Sequence, residues 1–445
     1  MNYQDILSNV AVLGAAGKMG SGISWLLSVE MTNLMLKPEN SEKQFVLNAI
    51  DVSEQGLQGL LEYVRTQTQK YAERRIEQIK PLYNTTQADV QDSDIIQAYV
   101  NDVLSVINTN TDMSAAKDSK LIFEAVSENQ SLKVKLFKQI EDVNKNNPWY
   151  FTNTSSVPIH SLNEAAGLNG RILGFHFYNP PAVQKLVELI TIPENSEQMI
   201  DFAKLFAKNI RKVVVPSNDV AGFVGNGFFM RDALFGISKA KELSKTMPLH
   251  EAMYCVDKIT REYLIRPMGI FQLMDYVGID VMQFILRVMQ QYIPNENLHD
   301  ELIDEYVLAG VKGGQNSDGS QKDGFFQYQK GRLVAVWCNK SAKYINFEDF
   351  SEKADKLLGE KPVEVKPWRE VIKAENADQL LSEGFNAIKK SSDLACKIAV
   401  EYGRNAVKIA TQLVNSGVAH KPEDVNTVMR TGFFHAYGPI NEYFG

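Results

Sequence analysis

Residues 10–22 read Val10-Ala-Val-Leu-Gly14-Ala-Ala-Gly17-Lys-Met-Gly20-Ser-Gly22, an apolar run that breaks into glycine-spaced residues and then into a helix-forming stretch. Few patterns restrict a fold as tightly. One glycine lets the chain turn sharply off a strand, and a second lets the backbone come close to a bound group. A third lets the helix press against the strand, and the helix start offers N–H groups and partial positive charge to a pyrophosphate. The spacing is G-x-x-G-x-x-G, one residue longer than the common dinucleotide loop. A dinucleotide is the expected ligand; a structural turn without a nucleotide is the alternative.

The surrounding pattern agrees. Short runs rich in branched and aromatic residues, at 10–14, 45–51, 121–126 and 149–153, are too short for ordinary helices and read as buried parallel strands. Amphipathic stretches such as 53–80 separate them, and repeated strand, helix, strand means α/β layering. Runs at 172–178, 186–191 and 212–215 extend the sheet. From Phe223 the chain reads as helices, at 227–245, 250–263 and 270–292, so a boundary is expected near Pro216. Residues 316–331 read as loop, 339–367 as a connecting segment with a helix near 347–358, and a last helical block starts near Glu383. The division expected is 1–216, 217–330, 331–382 and 383–445. The fold class is α/β: a Rossmann-like N-terminal domain with a mostly parallel sheet, then an all-α helical domain.

Composition sets limits. With 44% hydrophobic and 23% charged residues, the 445-residue chain can bury a core, and its net charge of −7 argues against nucleic acid as the main partner. Three dispersed cysteines, Cys255, Cys338 and Cys396, offer neither a metal spacing nor a disulfide framework. They point to a reducing, cytoplasmic setting, with no metal and no membrane partner expected. The first nine residues lack the pattern of a secretory signal.

Two constellations carry chemistry. Asp51 closes the second run, where a carboxylate accepts hydrogen bonds from ribose hydroxyls and repels a 2′-phosphate, favouring NAD over NADP. It lies 37 positions after Gly14, against a usual spacing of about 20; a long first helix and the polar 37–43 loop account for the excess. Capping the next turn is its alternative role. His176 sits in one apolar run and Glu188 in another, twelve positions on. A buried carboxylate needs a partner, and a carboxylate-held imidazole is a general base suited to alcohol oxidation. A core histidine bonded to backbone is the competing reading. Asn153-Thr-Ser-Ser156 ends a strand, where ligands bind in parallel sheets, or else caps the following helix.

Assembled, the chain resembles the L-3-hydroxyacyl-CoA dehydrogenase family. The resemblance rests on Gly17-Lys-Met-Gly-Ser-Gly-Ile23, Phe123-Glu-Ala-Val-Ser-Glu-Asn129, Asn153-Thr-Ser-Ser156, Gly174-Phe-His-Phe-Tyr-Asn-Pro180, Lys185-Leu-Val-Glu188, Gly222-Phe-Val-Gly-Asn226, Pro267-Met-Gly269 and Asp275-Tyr-Val-Gly-Ile-Asp280. It implies NAD-dependent oxidation of a 3-hydroxyacyl-CoA, as in fatty-acid β-oxidation. His176 is then the base, oriented by Glu188; Ser155 meets the substrate oxygen and Asn226 the acyl portion. Gly14, Gly17, Gly20, Asp51, Glu128, Lys133 and Asn153 line the NAD site. The chain departs from the family in the extra loop residue, in Gly225 and Gly227 beside Asn226, where an aliphatic residue and an arginine are common, and in Ile270 and Gln272, where proline and glutamate are usual.

Some family members carry a second, degenerate helical domain, and residues 383–445 look like one. Pro248 and Pro422 punctuate the two blocks alike. A tandem copy covers the first within the chain, so 383–445 is expected to pack on 217–300 and leave a monomer. Two other functions stay open: a CoA-independent hydroxy-acid dehydrogenase of the same fold, or a non-catalytic nucleotide sensor. Arg65, Lys70, Arg74 and Arg75 suit CoA phosphates, or form a solvated helix face.

Overall fold

The structure, a computed structural model, describes residues 2–83, 91–316 and 319–444. The chain divides into two compact units, Met1–Asp219 and Val220–Gly445.

In the first unit the apolar runs become eight strands: β1 (Asn9–Leu13), β2 (Val46–Ile50), β3 (Ile107–Asn110), β4 (Leu121–Glu124), β5 (Trp149–Thr152), β6 (Ile172–Phe177), β7 (Leu186–Thr191) and β8 (Val213–Asn218). They form one sheet in the order β3-β2-β1-β4-β5-β6-β7-β8. The pairs from β3 through β6 are parallel, β7 runs antiparallel to β6, and β8 is parallel to β7. Strands buried on both faces can be continuously apolar, and Phe123, Phe151 and Phe175 on β4, β5 and β6 stack side by side with ring centroids 5.3 and 5.4 Å apart. Helices return the chain between strands, several started by a side-chain oxygen that takes an orphan N–H. Ser53, Asn129 and Ser196 accept from Gly56, Leu132 and Met199. Strand order reverses between β1 and β4, which opens a crevice at their carboxyl ends.

Two features depart from the sequence reading. β3, with only one apolar residue in Ile107-Asn-Thr-Asn110, was not expected. Pro216 lies inside β8, beyond the expected end of that strand, and the division between the two units falls just after it, at Asp219 and Val220. β8 is an edge strand, so the missing N–H removes no bond from an interior ladder.

The second unit is not all-α. Its helices include Gly225–Leu243, Leu249–Lys258, Ile270–Val277, Ile279–Tyr292, Glu301–Leu308, Ser351–Leu358, Ala377–Lys390, Leu394–Asn415 and Pro422–Gly432. A three-stranded antiparallel sheet stands among them: β9 (Phe326–Gln329), β10 (Arg332–Cys338) and β11 (Lys343–Asn346). β9 occupies part of the expected 316–331 loop, of which Ser317 and Asp318 lie outside the described residues. The buried Asp275 carboxylate anchors this sheet by accepting the N–H groups of Phe325 (2.6 Å) and Phe326 (2.9 Å) and the Tyr328 hydroxyl (2.9 Å). Gly278, at φ 107°, breaks the expected 270–292 helix in two. The expected connecting segment, 331–382, sends Val336, Phe350, Leu358 and Leu381 into the same core as Ile237 and Phe271.

Residues 383–445 pack on 217–300 in this unit. The Tyr402 hydroxyl donates to the Asp232 carbonyl at 2.8 Å, and its ring stands edge-on to Phe235 at 5.0 Å. A Cβ at Gly227 would lie 3.1 Å from Leu413, so the last block crowds the position where the family commonly carries arginine.

Candidate active site

The loop after β1 is shaped by contacts that exclude side chains. Gly14 holds φ 75°, and a Cβ there would meet the Ala125 carbonyl oxygen at 2.8 Å. A Cβ on Gly20 would come within 2.0 Å of the Gly14 oxygen. The first turn of the Lys18–Met35 helix therefore presses directly on the turn, and Gly17 caps that helix with extended backbone. At Gly22 a side chain would strike Pro181 at 2.9 Å, which seats the helix against the β6–β7 connection.

Asp51 has work inside the protein. Its carboxylate accepts the N–H of Ala16 at 3.1 Å and of Ser53 at 3.2 Å. Ala16 belongs to the lengthened turn, so Asp51 ties the extra residue to the end of β2. The carboxylate stays part-exposed at the crevice.

A polar knot closes the ends of β4 and β5. Lys133, 1% exposed, reaches Glu124 at 2.7 Å and Glu128 at 3.2 Å. Glu124 also accepts the Val126 N–H (2.8 Å) and the Thr152 hydroxyl (2.6 Å). Glu128 accepts the Thr154 hydroxyl (2.6 Å), the N–H of Ser155 (2.8 Å) and of Ser156 (3.0 Å), and the Ser156 hydroxyl (3.0 Å). Burial pushes the Glu128 carboxyl up, but the Lys133 ammonium and these donors outweigh it and hold it at about 2. Burial likewise works against the Lys133 charge, and the two carboxylates overcome that and raise its pKa. Ser155 thus sits on a loop pinned from below. Asn153 accepts the Phe177 N–H at 2.9 Å, linking the end of β5 to β6.

The antiparallel register of β6 and β7 sets His176 opposite Glu188. The pair is the direct product of two apolar strands that each carry one ionisable residue. His176 Nδ1 lies 3.0 Å from Glu188 Oε2; the carboxylate is fully buried and the imidazole 8% exposed. The Tyr178 hydroxyl donates to the same Oε2 at 2.9 Å. Lys212 clamps the connection between the strands, donating to the carbonyls of Pro181 and Gln184 at 2.5 and 2.6 Å. Burial lowers its pKa to about 8. An imidazole fixed at Nδ1 by a carboxylate presents Nε2 as a proton acceptor.

Comparison with known proteins places the chain in a family. The family model for the 3-hydroxyacyl-CoA dehydrogenase NAD binding domain matches residues 9–220, and that for the C-terminal domain matches 249–323. A probable 3-hydroxybutyryl-CoA dehydrogenase of Deinococcus radiodurans is 30% identical over 231 residues, 49% of this chain and 77% of the relative. The mitochondrial hydroxyacyl-coenzyme A dehydrogenase of Homo sapiens is 31% identical over 235 residues, 52% of this chain and 71% of that protein. The chain belongs to the 3-hydroxyacyl-CoA dehydrogenase family. A crystal structure of 3-hydroxybutyryl-CoA dehydrogenase from Escherichia coli shares the fold at TM-score 0.64 and 19% identity, covering 98% of this chain and 90% of that one.

As a 3-hydroxyacyl-CoA dehydrogenase, the protein is NAD-dependent, and its first unit is the NAD-binding domain. The residues fit the cofactor. Gly14 and Gly20 let the turn, β4 and the helix close on one another without side chains, and a helix N-terminus begins at the turn, the arrangement that receives a pyrophosphate. Among the expected site residues, Gly14, Gly17, Gly20 and Asp51 gather at the β1–β2 end. Glu128, Lys133, Asn153 and Ser155 gather at the β4–β5 end, and His176 with Glu188 on the adjoining β6–β7 pair. Asn226 is in the second unit, in the first turn of the Gly225–Leu243 helix. Arg65, Lys70 and Arg74 are each exposed on the Glu54–Arg74 helix, with Arg65 on the opposite side from Arg74, while Arg75 packs over the Tyr71 ring at 5.1 Å. Sequence reasoning missed Glu124, Thr152, Tyr178 and Lys212. Glu124 could have been found as the acid that ends an apolar run, a residue that must be paired once buried. Among the described residues, no helix is long and apolar enough to cross a membrane.

Proposed function

We propose that this enzyme oxidises a 3-hydroxyacyl-CoA to the 3-ketoacyl-CoA, with His176 as general base and Glu188 as its orienting carboxylate. The observation that carries the reading is the buried His176–Glu188 pair at 3.0 Å. Bound NAD supplies the hydride acceptor. His176 Nε2 takes the hydroxyl proton while Nδ1–H stays on Glu188, so the imidazolium forms against a buried negative charge. Ser155, held by Glu128, donates to the substrate oxygen, and Asn226 holds the acyl portion. Gly14, Gly17 and Gly20 admit the pyrophosphate, Asp51 receives the ribose hydroxyls, and Glu128, Lys133 and Asn153 support the nicotinamide end. Lys70 and Arg74 meet the CoA phosphates.

Residues 383–445 are in this reading a second, degenerate copy of the helical domain. Pro248 and Pro422 both introduce helices, and the two blocks share one core. With that face covered from within, the protein is a monomer.

The test follows NADH absorbance with acetoacetyl-CoA, with free acetoacetate as the control. Turnover of the thioester alone is expected. His176→Gln should lower the rate at least about 100-fold while NADH binding stays within twofold. A variant keeping half the activity removes His176 as base; equal turnover of free acetoacetate removes CoA from the substrate. Absence of any turnover alongside intact NADH binding favours a sensor.

A further inference from the structure

One oxygen of Glu188 does two things. Oε2 accepts from His176 Nδ1 at 3.0 Å and from the Tyr178 hydroxyl at 2.9 Å. Tyr178 follows β6 directly, two residues after His176, so both side chains leave the chain on one side. Their ring centroids lie 5.1 Å apart, tilted by 43°. The carboxylate is fully buried, where each hydrogen bond changes its charge density more than it would in water.

We propose that Tyr178 is a positioning residue that sets the basicity of His176 through Glu188. A phenol donating to Oε2 draws negative charge away from the imidazole, so the imidazolium is held less tightly than by the carboxylate alone. The same bond stops Glu188 rotating away when the imidazole changes charge. Tyr178 keeps its proton throughout, since burial first and the Glu188 charge second raise its pKa well above the ordinary phenol value.

The charged groups on the neighbouring elements of the first unit are engaged elsewhere. β8, on the other side of Glu188, carries no ionisable side chain from Val213 to Asn218. The Ile159–Ala166 helix, whose Ile159 meets the β6 backbone at Gly174, brings His160 and Glu164; both are exposed, and His160 is paired with Asp219 at 2.7 Å. Along the sheet the next charges are Glu124, Lys133 and Glu128, bound to one another. Lys212, at the base of the β6–β7 connection, is engaged with carbonyls.

The proposal rests on His176 being the base, and the experiment separates the two. Tyr178→Phe, Glu188→Gln and His176→Gln are compared with wild type as kcat/KM against pH, in oxidation of a 3-hydroxyacyl-CoA and in reduction of acetoacetyl-CoA. Without the phenol, Glu188 holds the imidazolium more strongly. The apparent His176 pKa should rise by about 0.5–1 unit, the worth of one hydrogen bond. At pH below that value oxidation by Tyr178→Phe should fall about three- to tenfold, while reduction, which needs the protonated form, extends to higher pH. KM for NAD should stay within twofold, and Glu188→Gln should move the pKa down. A merely structural role lowers both rates and leaves the pKa in place. An unmoved or lowered pKa in Tyr178→Phe, with His176→Gln inactive, overturns the Tyr178 proposal alone. An active His176→Gln overturns the base reading beneath it.

Discussion

Two carboxylate clusters of the first unit are built differently. At the ends of β4 and β5, Glu124 and Glu128 are neutralised by a permanent cation, Lys133, and by a ring of hydroxyl and N–H donors. Between β6 and β7, Glu188 faces a neutral-to-charged imidazole and a phenol. The first arrangement is saturated and has no proton to exchange near neutral pH. The second sets a buried carboxylate against an imidazole, the group proposed to take the substrate's proton. The knot supplies a rigid floor for the Ser155 loop, and the pair is placed to supply the movable proton of the proposed oxidation. The same residue type serves both ends, and its partner decides which.

Removing the cation should have the largest effect. Lys133→Met leaves two carboxylates buried against each other, and breaking a buried ion pair from one side costs about 3–5 kcal/mol. Urea unfolding of the first unit reads it directly. His176→Gln, which leaves Glu188 its Tyr178 donor and an amide in place of the imidazole, should move the same midpoint by less than Lys133→Met does. If both variants melt alike, the two arrangements are not different in kind.

Glu128 sharpens the comparison through pH. Its pKa is about 2 in the folded chain against an ordinary 4.5. A carboxyl depressed on folding contributes stability that is present above the unfolded value and is lost as pH falls through the folded one. Stability should therefore decline between about pH 4.5 and 2, with Glu128 accounting for about 3 kcal/mol of the loss. Glu128→Gln should flatten that part of the profile and leave neutral-pH activity limited by how well the Ser155 loop keeps its place. An acid limb unchanged by the substitution would show that Glu128 titrates with the unfolded chain.

The same contrast explains what could be read in advance. β1, β2, β4, β5, β6 and β7 were legible because strands buried on both faces are written as continuous apolar runs. β3 was not, because an edge strand with Asn108, Thr109 and Asn110 has no such pattern. The β9–β11 sheet was lost to its glycine-rich approach, although Leu333-Val-Ala-Val-Trp337 has the branched and aromatic character of a strand. Its anchor, Asp275, lies fifty residues earlier than the Phe325 N–H it accepts, and no local pattern encodes that distance. In the site, His176 and Glu188 stood out because each is the one ionisable residue of β6 or β7. Glu128 and Lys133 entered only through family resemblance. Their partner Glu124 was hidden at the end of β4, where a terminal acid looks like the start of a loop.

Asp51 is a third kind of carboxylate and carries the smallest expected effect. It has no cation and no imidazole, only the N–H groups of Ala16 and Ser53, and it is part-exposed. Two N–H donors leave acceptor capacity on both oxygens for ribose hydroxyls, while its charge opposes a 2′-phosphate. Solvent screens that repulsion, so the preference for NAD over NADP should be about tenfold in kcat/KM, or about 1.4 kcal/mol, rather than the larger figure of a dry site. Asp51→Asn keeps an oxygen for the Ala16 N–H and removes the charge. The ratio of kcat/KM for the two cofactors should then narrow several-fold, chiefly through a lower KM for NADP. Asp51→Ala also releases the lengthened turn, so it should weaken NAD itself. Equal use of NAD and NADP by the wild-type enzyme would take the ribose away from Asp51. Its carboxylate would then serve only the backbone of the turn, a fixed structural acid of the kind found beside Lys133.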